Sequence, residues 1–167
     1  MTDLLEIIHV MTANAEAVRA LAQAIPAGQA EWKPNPDTWS MKEVMEHLYN
    51  EERLDFRRHI RDILEAPQQP QEYMHLANCQ HALDGFMEER KASLDWLAAL
   101  ATQAPPDWQA GKRLVFGPDE SITISAKEML VSWVEHDFLH MRQMVELLHA
   151  WNAQRATSLA LQYAGGW

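Results

Sequence analysis

Two Ser-x-x-Glu runs, Ser40-Met41-Lys42-Glu43 and Ser125-Ala126-Lys127-Glu128, constrain this chain more than any other feature of it. Each is a capping box. The serine hydroxyl accepts from the backbone N–H three residues on, and the glutamate reaches back to the serine N–H, so two orphan donors of a helix start are satisfied together. Each opens a stretch with helical periodicity, one running to about Glu65 before Pro67, the other to about Trp151. A further helix is expected from Asp3 to Ala24, with Leu4, Ile8, Met11, Ala15, Val18 and Ala22 on one face and Pro26 and Gly28 ending it. Another starts between Gln71 and Asn78 and reaches about Thr102, with Leu76, Cys79, Leu83, Phe86, Leu94 and Leu97 as its apolar side. Gly85 weakens that helix without breaking it.

Four such helices in one chain of 167 residues predict an all-α fold, a single-domain four-helix bundle over residues 1–167. Helix formers dominate, and 47% hydrophobic residues suffice for a core without disulfide staples. The connections are less regular. Residues 31–39, with Pro34 and Pro36, form an extended link that brings Trp32 and Trp39 against the bundle end. Pro105 and Pro106 open a loop of about 19 residues, long for a bundle. Within it Lys112–Phe116 and Ser121–Ile124 flank Gly117-Pro118-Asp119-Glu120, which reads either as a small β-hairpin between helices 3 and 4 or as an irregular cover. The tail 152–167, with its Gly165-Gly166-Trp167 end, receives no assignment.

Charge narrows the function. With 24 acidic residues against 14 basic ones the net charge is -10. The densest basic stretch, Arg53, Arg57, Arg58 and Arg61, is interleaved with Glu51, Glu52, Asp55 and Asp62, so no nucleic-acid partner is expected. The single cysteine, Cys79, excludes an intramolecular disulfide and is expected as a buried thiol. The first residues lack a basic leader, and no apolar run approaches a membrane span. No membrane association and a cytoplasmic location are expected.

The chemistry lies on helices 2 and 4. His136 and His140 are separated by about 40° on a helical wheel, one turn apart, with Met129, Trp133, Leu147 and Trp151 on the same side. Gln143 falls within about 20° of His136 and lines the same space. Two imidazoles at this spacing can share a metal ion. His47, on the second helix, lies two turns beyond the capping box, and Glu51 follows it about 40° around. Facing helices that each offer inward ligands are how bundles build metal sites, and three protein ligands leave a position for water or substrate. Glu51 is then a fourth ligand, a hydrogen-bond partner of a ligand or a general base, with Gln143 assisting; both are the candidate catalytic residues. Glu43 is assigned to the capping box, and Asp137 to the helix surface or the back of a ligand. His9, His59, His75, His81 and His149 have no partner at ligand spacing that shares a face with the pair.

The stretches Trp39-Ser40-Met41-Lys42-Glu43-Val44-Met45-Glu46-His47-Leu48 and His136-Asp137-Phe138-Leu139-His140-Met141-Arg142-Gln143 resemble the DinB-like (YfiT-like) metal-binding four-helix bundles. The resemblance implies one divalent metal ion on His47, His136 and His140, with zinc, nickel or iron all compatible with such ligands. It further implies a small-molecule substrate, a low-molecular-weight thiol such as bacillithiol or mycothiol as cosubstrate, and a homodimer. Transferases of that kind, and a thiol-dependent maleylpyruvate isomerase, belong to the family. A metalloenzyme that activates water or a thiol is the reading this favours; the alternative is a non-catalytic, metal-stabilised binding or stress-response module.

Overall fold

The computed structural model describes residues 3–26, 28–115, 117 and 120–165. Helix α1 (Leu4–Gln23) starts at Asp3, whose Oδ1 accepts from the Leu5 N–H at 3.1 Å. Helix α2 (Met41–Leu54) begins with the expected capping box: the Glu43 N–H donates to Ser40 Oγ at 3.3 Å, and the Ser40 N–H donates to Glu43 Oε2 at 2.7 Å. The second helix is broken where continuity was expected. At Asp55 (φ -115°, ψ -95°) the chain kinks and resumes as α3 (Phe56–Leu64). Hydrogen bonds persist on both sides, from Asp55 N–H to Glu51 O and from His59 N–H to Asp55 O. The bend turns Phe56 inward, where its ring stacks on Trp133 at 5.6 Å.

Helix α4 (Cys79–Ala101) is capped by Asn78, whose Oδ1 accepts from the His81 N–H. Gly85 has a packing reason: a Cβ there would stand 2.9 Å from the Tyr49 ring, so the glycine lets α2 and α4 approach closely. Between α4 and the last long helix lies the hairpin, β1 (Gly111–Val115) antiparallel to β2 (Ser121–Ser125), with Gly111 opposite Ser125 and Val115 opposite Ser121. Phe116, Pro118 and Asp119, part of the expected strand and turn, lie outside the described residues, as does the Gly166-Trp167 end. Strand β2 runs directly into α5 (Ala126–Ala153) through the second capping box, where Glu128 N–H donates to Ser125 Oγ and Ser125 N–H to Glu128 Oε2. The tail forms a short helix, α6 (Ser158–Ala164), capped by Thr157.

The bundle is built from α1, the bent pair α2/α3, α4 and α5. Its interior falls into two apolar halves. One gathers Val18, Val44, Leu48, Phe86 and Met144; the other gathers Met11, Ile60, Leu97, Leu130 and Trp133. On every bundle helix a polar residue sits between the two: Asn14 on α1, Glu52 on α2, Arg90 on α4, Asp137 on α5. That polar layer positions the site.

Candidate metal centre

His47 is placed by α2, two turns beyond its cap, while His136 and His140 project from successive turns of α5 toward it. Their Nε2 atoms converge: 3.2 Å separates His47 from His136 and 3.1 Å separates His136 from His140. Among the described residues these three form the group whose ligand atoms all lie within 4.8 Å of one another. The rings are packed by aromatic neighbours. Trp39 lies parallel to His140 at 6.0 Å and within 4.9 Å of His47, and Phe56 sits 5.1 Å from His136. Trp39 therefore walls the site, Trp133 lies deeper against Phe56, and Trp32 packs edge-on to Trp151 at the bundle end.

Burial lowers the pKa of all three imidazoles, and at His47 and His136 the neighbouring histidines add to it. Burial, then the neighbouring His140, lowers His47 to about 4. Burial, then His140, His47 and Arg90, lowers His136 to about 3. Burial also lowers His140, against the opposing pull of Gln143 and Asp137. Neutral imidazoles are the form that can donate a lone pair.

Glu51 and Gln143 stand behind the rings. The His140 Nδ1–H donates to Gln143 Oε1 at 2.8 Å, which puts the proton on Nδ1 and leaves Nε2 as the free lone pair. Glu51 Oε1 is 3.7 Å from His47 Nδ1, too long for a hydrogen bond, and its hydrogen-bond partner is the neighbouring Asp55 carboxylate. The Glu51 carboxyl is pushed up to about 7, by burial first and by the neighbouring Asp55 second. Glu51 thus faces the side of His47 away from the converging nitrogens. Glu43 is held by the cap and by Lys33 Nζ at 2.7 Å, remote from the cluster.

Asp137 departs from the surface placement. It is fully buried, and its two oxygens accept from Arg90 Nη1 and Nη2 at 2.8 and 2.7 Å, with Asn14 Nδ2 adding a bond at 3.2 Å. Arg90 Nε meanwhile donates to Glu52 Oε1 at 2.5 Å, and Glu52 also accepts from Ser93 Oγ and Trp133 Nε1. Sequence reading missed this cluster. A signal for it existed, since Phe86, Arg90, Ser93 and Leu97 share the inward phase of α4, and an arginine within an apolar stripe needs a buried partner.

Two cavities lie in this part of the bundle, of which the first is lined by His140. One, of about 450 Å³, is bounded by Trp39, Leu139, His140, Arg142 and Gln143. The other, of about 520 Å³, lies under the hairpin between Phe56, Leu114, Ile124, Met129 and Ser132. The hairpin is therefore a wall of a cavity that none of the three histidines lines, linked to the site through Phe56, which packs on His136.

The sequence matches the DinB superfamily over residues 11–144. The chain belongs to the DinB superfamily. Its fold is also that of a solved structure, YfiT from Bacillus subtilis, described as "a probable metal-dependent hydrolase with an unusual four-helix bundle topology". The two are 16% identical, with a TM-score of 0.68 over 89% of this chain and 87% of that one. At that identity the likeness establishes the fold alone. No curated protein matches the chain. Among the described residues, no helix of this DinB superfamily member is long and apolar enough to cross a membrane.

Proposed function

We propose that this protein is a metalloenzyme holding one divalent ion on the Nε2 atoms of His47, His136 and His140. The observation that carries this is the spacing of those atoms. A tetrahedral ion with metal–nitrogen bonds of about 2.0–2.1 Å sets its ligand nitrogens about 3.3–3.4 Å apart, close to the 3.1 and 3.2 Å found here. Three lone pairs so close would otherwise repel, because one ring proton can bridge a single pair of them. Gln143 favours the reading further by fixing the proton on His140 Nδ1.

When bound, the ion supplies Lewis-acid activation of water or of a low-molecular-weight thiol near neutral pH. The chain's own groups do the remainder. Gln143 orients the His140 ring from behind, the role that partners of ligand histidines commonly take, and Glu51, with its raised carboxyl on the far side of His47, is placed to exchange a proton. Trp39 and Phe56 limit water at the rings, and Trp39, Leu139 and Arg142 offer an apolar wall and a cation to an organic substrate. Transfer to water or to a thiol is the reaction class, which agrees with the hydrolase description of YfiT. The substrate is a small molecule.

Elemental analysis of protein made without a histidine tag tests this first. One equivalent of zinc, nickel or iron is expected, and none in His136→Ala. Thiol-transfer and ester or amide hydrolysis assays against a panel of electrophiles come next, with activity expected in the loaded protein only. Metal-free protein with full activity would overturn the proposal. Tight metal whose removal only lowers the melting temperature would favour the non-catalytic alternative.

A further inference from the structure

The bent helix α2/α3 carries a second, different chemistry on another face. Arg53, Arg57, Arg58 and Arg61 line a cavity of about 180 Å³, walled also by Trp96 of α4 and by Gln71 of the segment preceding it. Among the described residues no carboxylate lines this cavity, in a chain with 24 acidic residues.

In sequence, Glu51, Glu52, Asp55 and Asp62 alternate with these arginines and suggest neutrality. The helix sorts them apart. Glu51 turns to His47 and Glu52 enters the core to meet Arg90. Asp55 faces His59, and Asp62 accepts from Lys112 Nζ at 2.5 Å and from the Gln68 N–H at 2.6 Å. Two carboxylates from outside the lining do pair with the arginines: Glu89 with Arg57 and, at 3.8 Å, Arg53, and Glu65 with Arg61 at 2.8 Å. Four guanidinium groups against two contacting carboxylates leave a positive excess, reduced at Arg58 by the field of Asp62, which that carboxylate shares with Lys112. Arg53 Nη1 and Arg58 Nε are moreover buried without an acceptor.

The arginines are also held in place. Arg57 Nη1 donates to the Glu89 carbonyl and to Ser93 Oγ, Arg53 Nη2 donates to Gln71 Oε1 at 3.1 Å and its guanidinium lies over the Tyr49 ring, and the Arg61 guanidinium lies over Trp96. Fixed planar forks of this kind match the paired oxygens of an oxyanion.

We propose that this cavity binds a doubly charged tetrahedral oxyanion, the phosphoryl group of inorganic phosphate or of a small phosphate monoester. The positive excess, with two buried donors lacking an acceptor, suits a dianion. The volume admits a phosphoryl group with a few further atoms, and the net charge of -10 opposes a long polyanion. The site is separate from the metal centre. It lies between α2/α3 and α4, while the histidines lie between α2 and α5, and Arg53 is turned about 120° around α2 from His47.

Calorimetric titration of the full chain with inorganic phosphate and with phenyl phosphate, at matched ionic strength, tests the proposal. One saturable site per chain is expected. Arg53→Gln and Arg58→Gln should each weaken it at least about tenfold, because each removes a charge-assisted donor. His136→Ala should bind phosphate as the parent does, which separates this site from phosphate captured at the metal centre and leaves the result independent of the metal proposal. Tighter binding of the ester would assign a phosphorylated metabolite, and tighter binding of the free ion would assign phosphate itself. The proposal fails if neither ligand gives a saturable signal, if both arginine variants bind unchanged, or if His136→Ala abolishes binding. Should a variant unfold, the parent chain decides: no rise in melting temperature with phosphate over chloride of equal ionic strength overturns the site.

Discussion

Two buried polar clusters stand side by side in this bundle, fed by consecutive residues of the same two helices. Glu51 and His136 serve the histidine cluster, while their neighbours Glu52 and Asp137 serve Arg90, because successive helix residues diverge by about 100°. The Arg90 cluster is closed. Guanidinium, two carboxylates, an asparagine, a serine and an indole satisfy one another, and Arg90, Glu52 and Asp137 are each at most 1% exposed. Against burial, which favours loss of its proton, Glu52 and Asp137 hold Arg90 charged and above its ordinary value. Burial pushes the Glu52 carboxyl up, opposed by the charge of Arg90. The histidine cluster is more open: three imidazoles bring ligand atoms within 4.8 Å of one another, two of the rings are only half-buried, and His140 lines a cavity. A satisfied network fixes how helices pack, and an unsatisfied one is available for chemistry.

The sharpest way to break the comparison is Arg90→Met. It leaves Glu52 and Asp137 buried without a counter-charge and should cost about 3–5 kcal/mol of stability in urea or thermal unfolding. A loss below about 1 kcal/mol would mean that the closed cluster does not organise the fold. His136→Ala should do the reverse, abolishing bound metal while the metal-free chain keeps nearly its parent melting temperature. Gln143→Ala should weaken metal binding by about 10–100-fold, the usual effect of losing a ligand's hydrogen-bond partner; competition with a chromophoric chelator reads it, and unchanged affinity would exclude an orienting role.

A pH titration of the metal-free chain sharpens the same contrast. The pKa values of His47 and His136 are depressed when folded, to about 4 and about 3, so the unfolded chain takes up protons first as pH falls below the ordinary histidine value. Stability attributable to these rings is present above about pH 6.5 and drains away toward pH 3–4. His47→Ala should flatten that slope; an unaltered slope would contradict the neutral cluster. The smallest effect is expected at the cap: Ser125→Ala should cost about 1 kcal/mol and leave metal affinity within a factor of two or so of the parent.

Much of this was legible because it is local. Both capping boxes form as read, the hairpin appears between α4 and α5, and the wheel correctly set Gln143 beside the histidines. The break at Asp55 was not legible: no proline or glycine marks it, and the reason for it, Phe56 reaching Trp133 and His136, is tertiary. For Asp137 the surface alternative fails for the same reason. Its wheel position is compatible with either surface or core, and only Arg90, 47 residues earlier, selects the core.

For His47, His136 and His140 the division is clear. Sequence by itself determined which helices carry them and which way along each helix they project, since caps and the 3.6-residue period act within a few residues. Tertiary structure alone decided that His136 Nε2 lies 3.1–3.2 Å from the Nε2 atoms of both His140 and His47, that Glu51 stands behind His47 rather than among those atoms, and that four arginines gather on one cavity that, among the described residues, no carboxylate lines. Those outcomes depend on how far apart two helices pack and how each is rotated, quantities set by every side chain between them.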